Sequence, residues 1–448
     1  NRIMIIVPKN IVTVDGKDRI LKNHFVEIEN GKIISIKQND EKYFSKNKQR
    51  VFRFDDLTLI PGFVQTHIHL CQTLFRGLAD DLELLDWLQL RIFPYENAHN
   101  KNSLLSSVRL GINELLLSGT TTLLDMGTLR HQEVIFEELQ SSGIRAIAGK
   151  CLIDENNLFP AFKSDTESEI DEIYQLARTY HNTSNGKIKY GFAPRFVLSC
   201  SEKLLKESFE MKKDFEGSLY HTHSSENKDE IAEVKRRHKK ENIEYFDSIG
   251  VIDDHSVFAH CIHVNDKETN LLKKNNVRVS HCPSSNLKLG SGIANIPKYL
   301  QKGISVSLGA DGAPCNNNLS VFNEMRLAAL IQKPVHGPLA MDAKTVFKLA
   351  TIEGAKALHL HNEIGSIEVG KKADLVLLDL NTNMHSMSEN DETIYSDIVY
   401  TSSSDSVNSV MIEGEWKILN KKSLLYDQKE LNQTSKDELK KLLKRVKN

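Results

Sequence analysis

The chain has 448 residues, 40% of them hydrophobic and 26% charged, with a formal net charge of −2. That length suits a large catalytic domain with a smaller companion, and the near balance of charge offers no basic field for nucleic acid or an anionic membrane, so a small molecule is the expected partner. Six cysteines without a C-x-x-C pair read as reduced, cytoplasmic thiols, and no apolar run is long enough to span a bilayer or form a signal peptide.

From Arg2 to about Phe54 the pattern is strand-like, and VEIENGKIISI sets Asn30-Gly31 between alternating apolar residues as a hairpin signal. The same texture returns in ADLVLLDL (Ala373 to Leu380) and VMIEGEWKIL (Val410 to Leu419), so both chain ends are expected in one small β-sandwich. Between them eight apolar runs alternate with helical patterns: LTLIPGFVQTHIH, TTLLDMG, AIAGKCLID, IKYGFAPRF, SLYHTHSSE, SVFAHCIHV, VRVSHCPSSN and ISVSLGADGAP. Each ends in polar or ionisable residues, as expected where active-site groups gather at the carboxyl ends of the strands of a (β/α)8 barrel. The alternative, an open doubly wound sheet, lacks its glycine-rich turn here. The expected division is 1–57 for the first part of the sandwich, 58–362 for the barrel, and 363–448 for the rest of the sandwich and a C-terminal helix. In that helix Leu439, Leu442, Leu443 and Val446 recur at helical spacing, which predicts packing on the body of the protein.

His67 and His69 stand two apart at the end of an apolar strand and so project from one face, a ready metal chelate. His223 and Asp311 terminate later runs in the same way, although Asp311 alone would be an ordinary turn residue before Gly312. Three imidazoles and a carboxylate suit one divalent ion, zinc first and ferrous iron second, with an open position for water. Hydrolysis also needs an acid and base, for which Glu226, three residues after His223, is the expected proton shuttle. His260, at the end of the sixth run, is expected to polarise the nucleophile. His221, His255, His263 and His281 receive no ligand role.

PGFVQTHIH, HTHSSE, AHCIH, SHCPSSNLKLGSGIA, LGADGAP and GKKADLVLLD together resemble the amidohydrolase superfamily over nearly the whole chain. More narrowly, the chain is similar to the mononuclear deaminase and chlorohydrolase branch, which includes guanine deaminase, methylthioadenosine/S-adenosylhomocysteine deaminase and triazine hydrolases. The resemblance implies a distorted eight-stranded barrel with a β-sandwich, metal ligands at His67, His69, His223 and Asp311, and catalytic roles for Glu226, His260 and Asp311. It also implies a homodimer. The activity implied is deamination of a purine-like ring: a metal-activated water attacks the amino-bearing carbon and ammonia leaves.

The expected substrate-binding residues are Gln72, Glu96, Lys150, Arg195 and Trp87. APRFVLSCSE and Gln72 look like guanine deaminases, so guanine or a related oxo-purine stands first, with Arg195 as a bidentate donor to the ring. The segment Gly309 to Lys333 resembles the adenosine and triazine enzymes instead. In the nucleoside deaminases a glutamate matching Glu96 binds ribose hydroxyls, their adenine-binding histidine is Arg195 here, and their nearby arginine is Lys150. Trp87 reads either as a ring-stacking wall, with Arg76 in the same segment, or as a core aromatic. The alternatives are an adenine-nucleoside deaminase, a triazine chlorohydrolase or aminohydrolase, and an inactive scaffold. A binuclear cyclic-amide hydrolase would need a bridging lysine, and Lys150 lies on the third run rather than the usual fourth.

Overall fold

The computed structural model describes residues 3–446. The N-terminal strands are β1 (Met4–Val12), β2 (Ile20–Lys22), β3 (His24–Glu29), β4 (Lys32–Gln38) and β5 (Val51–Pro61). Asn30 and Gly31 have φ of 49° and 76°, the left-handed pair that a tight turn between β3 and β4 requires.

The barrel strands are β6 (Phe63–Ile68), β7 (Thr120–Asp125), β8 (Arg145–Ala148), β9 (Cys151–Leu152), β10 (Ile188–Pro194), β11 (Leu219–Ser224), β12 (Ser256–His260), β13 (Arg278–His281) and β14 (Ser305–Leu308). They run parallel in the order β14-β13-β12-β11-β10-β8-β7-β6, with β9 beside β10. The ends meet where Ile68 bridges Asp311 and the Asp311 N–H donates to the His67 carbonyl at 3.0 Å. This is the expected (β/α)8 barrel, with helices such as Lys101–Leu117 and Thr166–Tyr180 between strands.

The third run is split between β8 and β9 at Gly149-Lys150. A β-carbon on Gly149 would lie 1.8 Å from the Gly191 carbonyl oxygen, so the two backbones approach too closely for any other residue.

After the barrel come β15 (Leu375–Leu378), β16 (Val407–Ile412), β17 (Glu415–Leu419) and β18 (Lys422–Ser423). Both chain ends share one nine-stranded sheet in the order β18-β17-β16-β15-β5-β1-β3-β4, with β2 beside β1. Alternation along each strand divides its faces. Ile6, Val26, Leu59, Leu375 and Met411 meet in one apolar cluster, whereas Ile60, Val376 and Val410 join the barrel core. β5 carries the sheet through Pro61 before β6 opens the barrel.

The helix Gln428–Val446 packs Leu439, Leu442, Leu443 and Val446 against Leu74, Phe75 and Tyr95, as its spacing predicts. Arg445 Nε also donates to the Ala98 carbonyl at 2.8 Å, so this helix braces the segment that follows β6. No helix of the described residues is long and apolar enough to cross a membrane.

Candidate active site

The carboxyl ends of β6, β11, β12 and β14 bring His67, His69, His223, His260 and Asp311 together. The backbone bends sharply there: Ser225, His260 and Asp311 have φ of 55°, 78° and 63°, left-handed values that residues with side chains adopt at a cost and that cluster at functional sites. Neighbouring bonds hold them, among them Cys261 N–H to the Ser224 carbonyl at 2.9 Å.

Asp311 Oδ1 lies 3.1 Å from His67 Nε2 and 3.2 Å from His69 Nε2. His69 Nε2 is 3.2 Å from His223 Nε2. Ligand atoms of these four residues all fall within 4.8 Å of one another. The outer nitrogens are engaged elsewhere: His223 Nδ1 lies 2.6 Å from the Arg195 carbonyl, so it carries the proton and leaves the Nε2 lone pair facing inward. His67 Nδ1 pairs with His221 Nε2 at 2.8 Å. The buried His67 Nε2 has no partner of hydrogen-bond geometry despite its closeness to Asp311, which suits two ligands aimed at a common ion. Burial pulls His67 down to about 4 and His223 well below the usual imidazole range, which favours the neutral form that binds metal. Burial opposes ionisation of Asp311, yet His67, His69 and His260 hold it well below the usual carboxylate range. These residues therefore fit a single divalent ion.

Glu226 Oε2 and Asp311 Oδ2 lie 3.4 Å and 3.5 Å from His260 Nε2. His260 is oriented by Asn286, whose Oδ1 is 2.7 Å from Nδ1, and Ser285 Oγ donates to Asp311 Oδ2 at 2.7 Å. Burial, reinforced by Asp311 and Glu230, pushes the Glu226 carboxyl well up.

A cavity of about 20 Å³ covers this cluster, lined by His69, Gln72, Arg195, His223, Glu226, His260 and Asp311, with Leu84, Trp87, Leu88 and Phe196 as apolar walls. Gln72, Arg195 and Trp87 thus reach it. Arg195 does not present its bidentate face to the cavity as expected: Nη1 and Nη2 donate to Glu96 Oε1 and Oε2 at 3.2 Å and 3.0 Å. Gln72 Nε2 donates to Oε2 at 3.3 Å, and the single proton of the Cys71 thiol faces both Oε1 at 3.4 Å and the Gly127 carbonyl at 3.3 Å, so N–H groups of Arg195 and Gln72 already occupy the buried Glu96. Glu96 is thereby held beneath the cavity by its own salt bridge rather than offered to a ribose. Burial opposes its charge, but Arg195 keeps its carboxyl below the ordinary value.

The placement of Lys150 corrects the sequence expectation. Its ammonium is buried against Glu169 on the helix behind the strands, with Glu172 at 3.7 Å, and does not line the cavity. An uncompensated ammonium at that depth would be costly, so the acid on the neighbouring helix decides which way it points. Arg76 pairs with Glu114, also outside the cavity lining. Sequence reasoning missed Ser285 and Asn286, and it gave His221 no ligand role, which leaves unforeseen only its bond to His67. The first two stand in SHCPSSN, a motif with no assigned role, and their polar side chains after a strand end were the available signal. His221 lies on the same strand face as His223, the period-two spacing that marked His67 and His69.

A parallel barrel whose strand ends gather imidazoles and carboxylates around one point has the architecture of a metal-dependent hydrolase. The chain belongs to the amidohydrolase family, whose model matches residues 58–417, and is an enzyme of the hydrolase class acting on carbon–nitrogen bonds. It is 36% identical over 405 residues to a 5′-deoxyadenosine deaminase of Methanobrevibacter smithii, covering 90% of each chain. Among solved structures it is similar to an adenosine deaminase of Xanthomonas campestris with bound zinc (TM-score 0.90, 27% identity, 98% of both chains). It is likewise similar to a guanine deaminase of C. acetobutylicum with guanine in its active site (TM-score 0.84, 28% identity, 93% of this chain and 100% of that one).

Proposed function

We propose that this enzyme is a hydrolytic deaminase of an aminated purine. The observation that carries the reading is the meeting of the four candidate ligands with Glu226 and His260 at one rim, where all of them but the buried His67 line a single cavity. His67, His69 and His223 through Nε2, with Asp311 through Oδ1, would hold one divalent ion, zinc before iron. When bound, such an ion lowers the pKa of a water toward neutrality. Ser285 ties down Asp311 Oδ2 and leaves Oδ1 for that role. Asn286 fixes the His260 tautomer, so that Nε2 faces the nucleophile as an acceptor or, once protonated, as a stabilising charge. Glu226 takes a proton from the attacking water and passes it to the ring nitrogen beside the amino-bearing carbon, then takes the remaining proton of the added hydroxyl and passes it to the departing amine. The carbon–nitrogen bond breaks, a carbonyl remains and ammonia leaves. Leu84, Trp87, Leu88 and Phe196 exclude bulk water from this exchange.

An adenine nucleoside of the 5′-deoxyadenosine type stands first as substrate, supported by 36% identity to such a deaminase over nearly the whole chain. This reverses the order expected from Gln72 and Arg195 alone. Guanine is the second reading, favoured by the three N–H donations from Arg195 and Gln72 that already occupy Glu96 and compete with ribose hydroxyls for it. The test is ammonia release from 5′-deoxyadenosine, 5′-methylthioadenosine, adenosine and guanine. Turnover of the nucleosides, with kcat/KM about 100-fold above that for guanine, supports the first reading. Release from guanine alone installs the second, and release from none of the four removes deamination of purines.

A further inference from the structure

We infer that His221 is a positioning residue of the metal site: it accepts the Nδ1 proton of His67, and so fixes which nitrogen His67 turns toward the ion and how firmly the ion is held. The inference deepens the metal reading proposed above and rests on it. His67 Nδ1 lies 2.8 Å from His221 Nε2, with the two rings nearly perpendicular at 85° and both residues shielded from solvent. An imidazole that offers Nε2 to a metal must carry its proton on Nδ1, and a buried N–H needs an acceptor. His221 Nε2 is that acceptor.

Without it, a second tautomer of His67 would compete. Asp311 Oδ1 stands 3.1 Å from His67 Nε2, close enough to draw the proton to that nitrogen and block the lone pair meant for the ion. The bond to His221 favours the other tautomer. The remaining imidazoles are held differently: His223 Nδ1 bonds to the Arg195 backbone carbonyl, which no substitution of that side chain removes, and His69 Nδ1 has no partner among the described residues. Of the three, His67 depends on a neighbouring side chain.

Packing does not account for a histidine at this position. Leu219, two residues earlier on the same face of β11, joins Val64, Leu124, Ile147 and Val257 in an apolar cluster of the barrel strands. His221 stands between that cluster and the candidate ligands. Accepting through Nε2 places its own proton on Nδ1, which is buried and has no partner among the described residues. Such an unpaired donor is destabilising, so an apolar side chain would serve the interior better. The bond to His67 is what the imidazole provides.

The experiment measures how zinc partitions between the loaded full-length chain and a chromophoric chelator. It needs no substrate, so its outcome is independent of whether a purine is deaminated. His221→Leu should hold zinc about 10- to 100-fold more weakly than wild type. His221→Gln can present its side-chain carbonyl where Nε2 stands and should recover most of that loss, whereas His221→Asn is too short to reach His67 and should not. Zinc affinity of His221→Leu within twofold of wild type overturns the proposal and leaves the metal reading standing, as does a glutamine variant that binds no better than the asparagine one. Neutron diffraction from the zinc-loaded wild type decides the matter even if the variants fail to fold: hydrogen is expected on Nδ1 of both His67 and His221, and hydrogen on His221 Nε2 overturns the proposal. A wild type that binds no zinc would remove the metal reading and this inference with it.

Discussion

The side-chain carbonyl of Gln72 occupies the space that a β-carbon on Gly312 would need: the ideal Cβ position lies 2.0 Å from Gln72 Oε1. Gly312 has φ of −96°, an ordinary value, so its lack of a side chain matters for room rather than for backbone freedom. Gly312→Ala must push a flexible amide aside. Because that amide also donates to Glu96, the shift disturbs the Arg195 pair as well. The variant should fold and keep its metal while kcat/KM falls about 10-fold or more, as a displaced binding group does. Activity unchanged with the metal retained would show that Gln72 does not serve the substrate.

Removing a ligand and removing the shuttle should have separable effects. Asp311→Ala should lower bound metal, read by elemental analysis after dialysis, and abolish ammonia release. Glu226→Gln should leave metal content near that of wild type and lower kcat by about 10²- to 10⁴-fold, the usual contribution of a positioned acid–base group. A Glu226→Gln enzyme retaining a tenth of the activity would assign the proton transfer elsewhere. Chelation should inactivate the wild type, and added zinc should restore it.

Arg145 on β8 and Asp374, just before β15, join barrel and terminal sheet through two hydrogen bonds, 2.7 Å from Nε and 3.1 Å from Nη2, with both side chains 2% exposed. Breaking such a pair leaves a buried charge alone. Arg145→Met should therefore destabilise the protein by about 3–5 kcal/mol. Adding Asp374→Leu should recover part of that loss, since the stranded carboxylate is gone. Urea unfolding of the metal-loaded proteins measures both; additive losses would deny the coupling.

Glu268 gives a pH dependence away from the metal cluster. Burial raises its carboxyl to about 7, although the backbone N–H groups of Ile243 and Asn265 bond to it at 2.9 Å and 3.2 Å. A carboxylate raised on folding binds its proton more tightly in the native state, so its contribution is complete below about 4.5 and is lost as pH rises through about 7. The size of the effect is at most about 3 kcal/mol. Glu268→Gln cannot titrate and gives up one acceptor, so it should be the less stable protein at pH 5, with the gap closing or reversing by pH 8. A gap independent of pH would show that Glu268 is ionised throughout.

Much of the site was legible because a barrel converts position along the chain into position in space. His67, His69, His223, Glu226, His260 and Asp311 each stand at the end of an apolar run, and parallel strands carry those ends to one rim. The hairpin at Asn30-Gly31 and the apolar stripe of the last helix were legible for a similar reason, since their patterns are local. Other features had no such signal. Arg195 and Glu96 are 99 residues apart, and nothing in APRF or FPYE says that their side chains bond to each other. Lys150 stands at a strand end like the candidate ligands, but a buried Glu169 on the adjacent helix draws it away from the rim.

The order of apolar runs and the polar residues closing them determined the class of fold and the chemical character of its rim, because strand alternation and barrel closure leave those residues little choice of side. The tertiary structure alone decided which polar groups satisfy one another and which remain free for a ligand. Arg195 is spent on Glu96, while Trp87 Nε1 and Gln72 Oε1 are left without partners. Such pairings depend on distances of a few tenths of an ångström between segments remote in sequence. Hydrogen bonds and desolvation change steeply over that range.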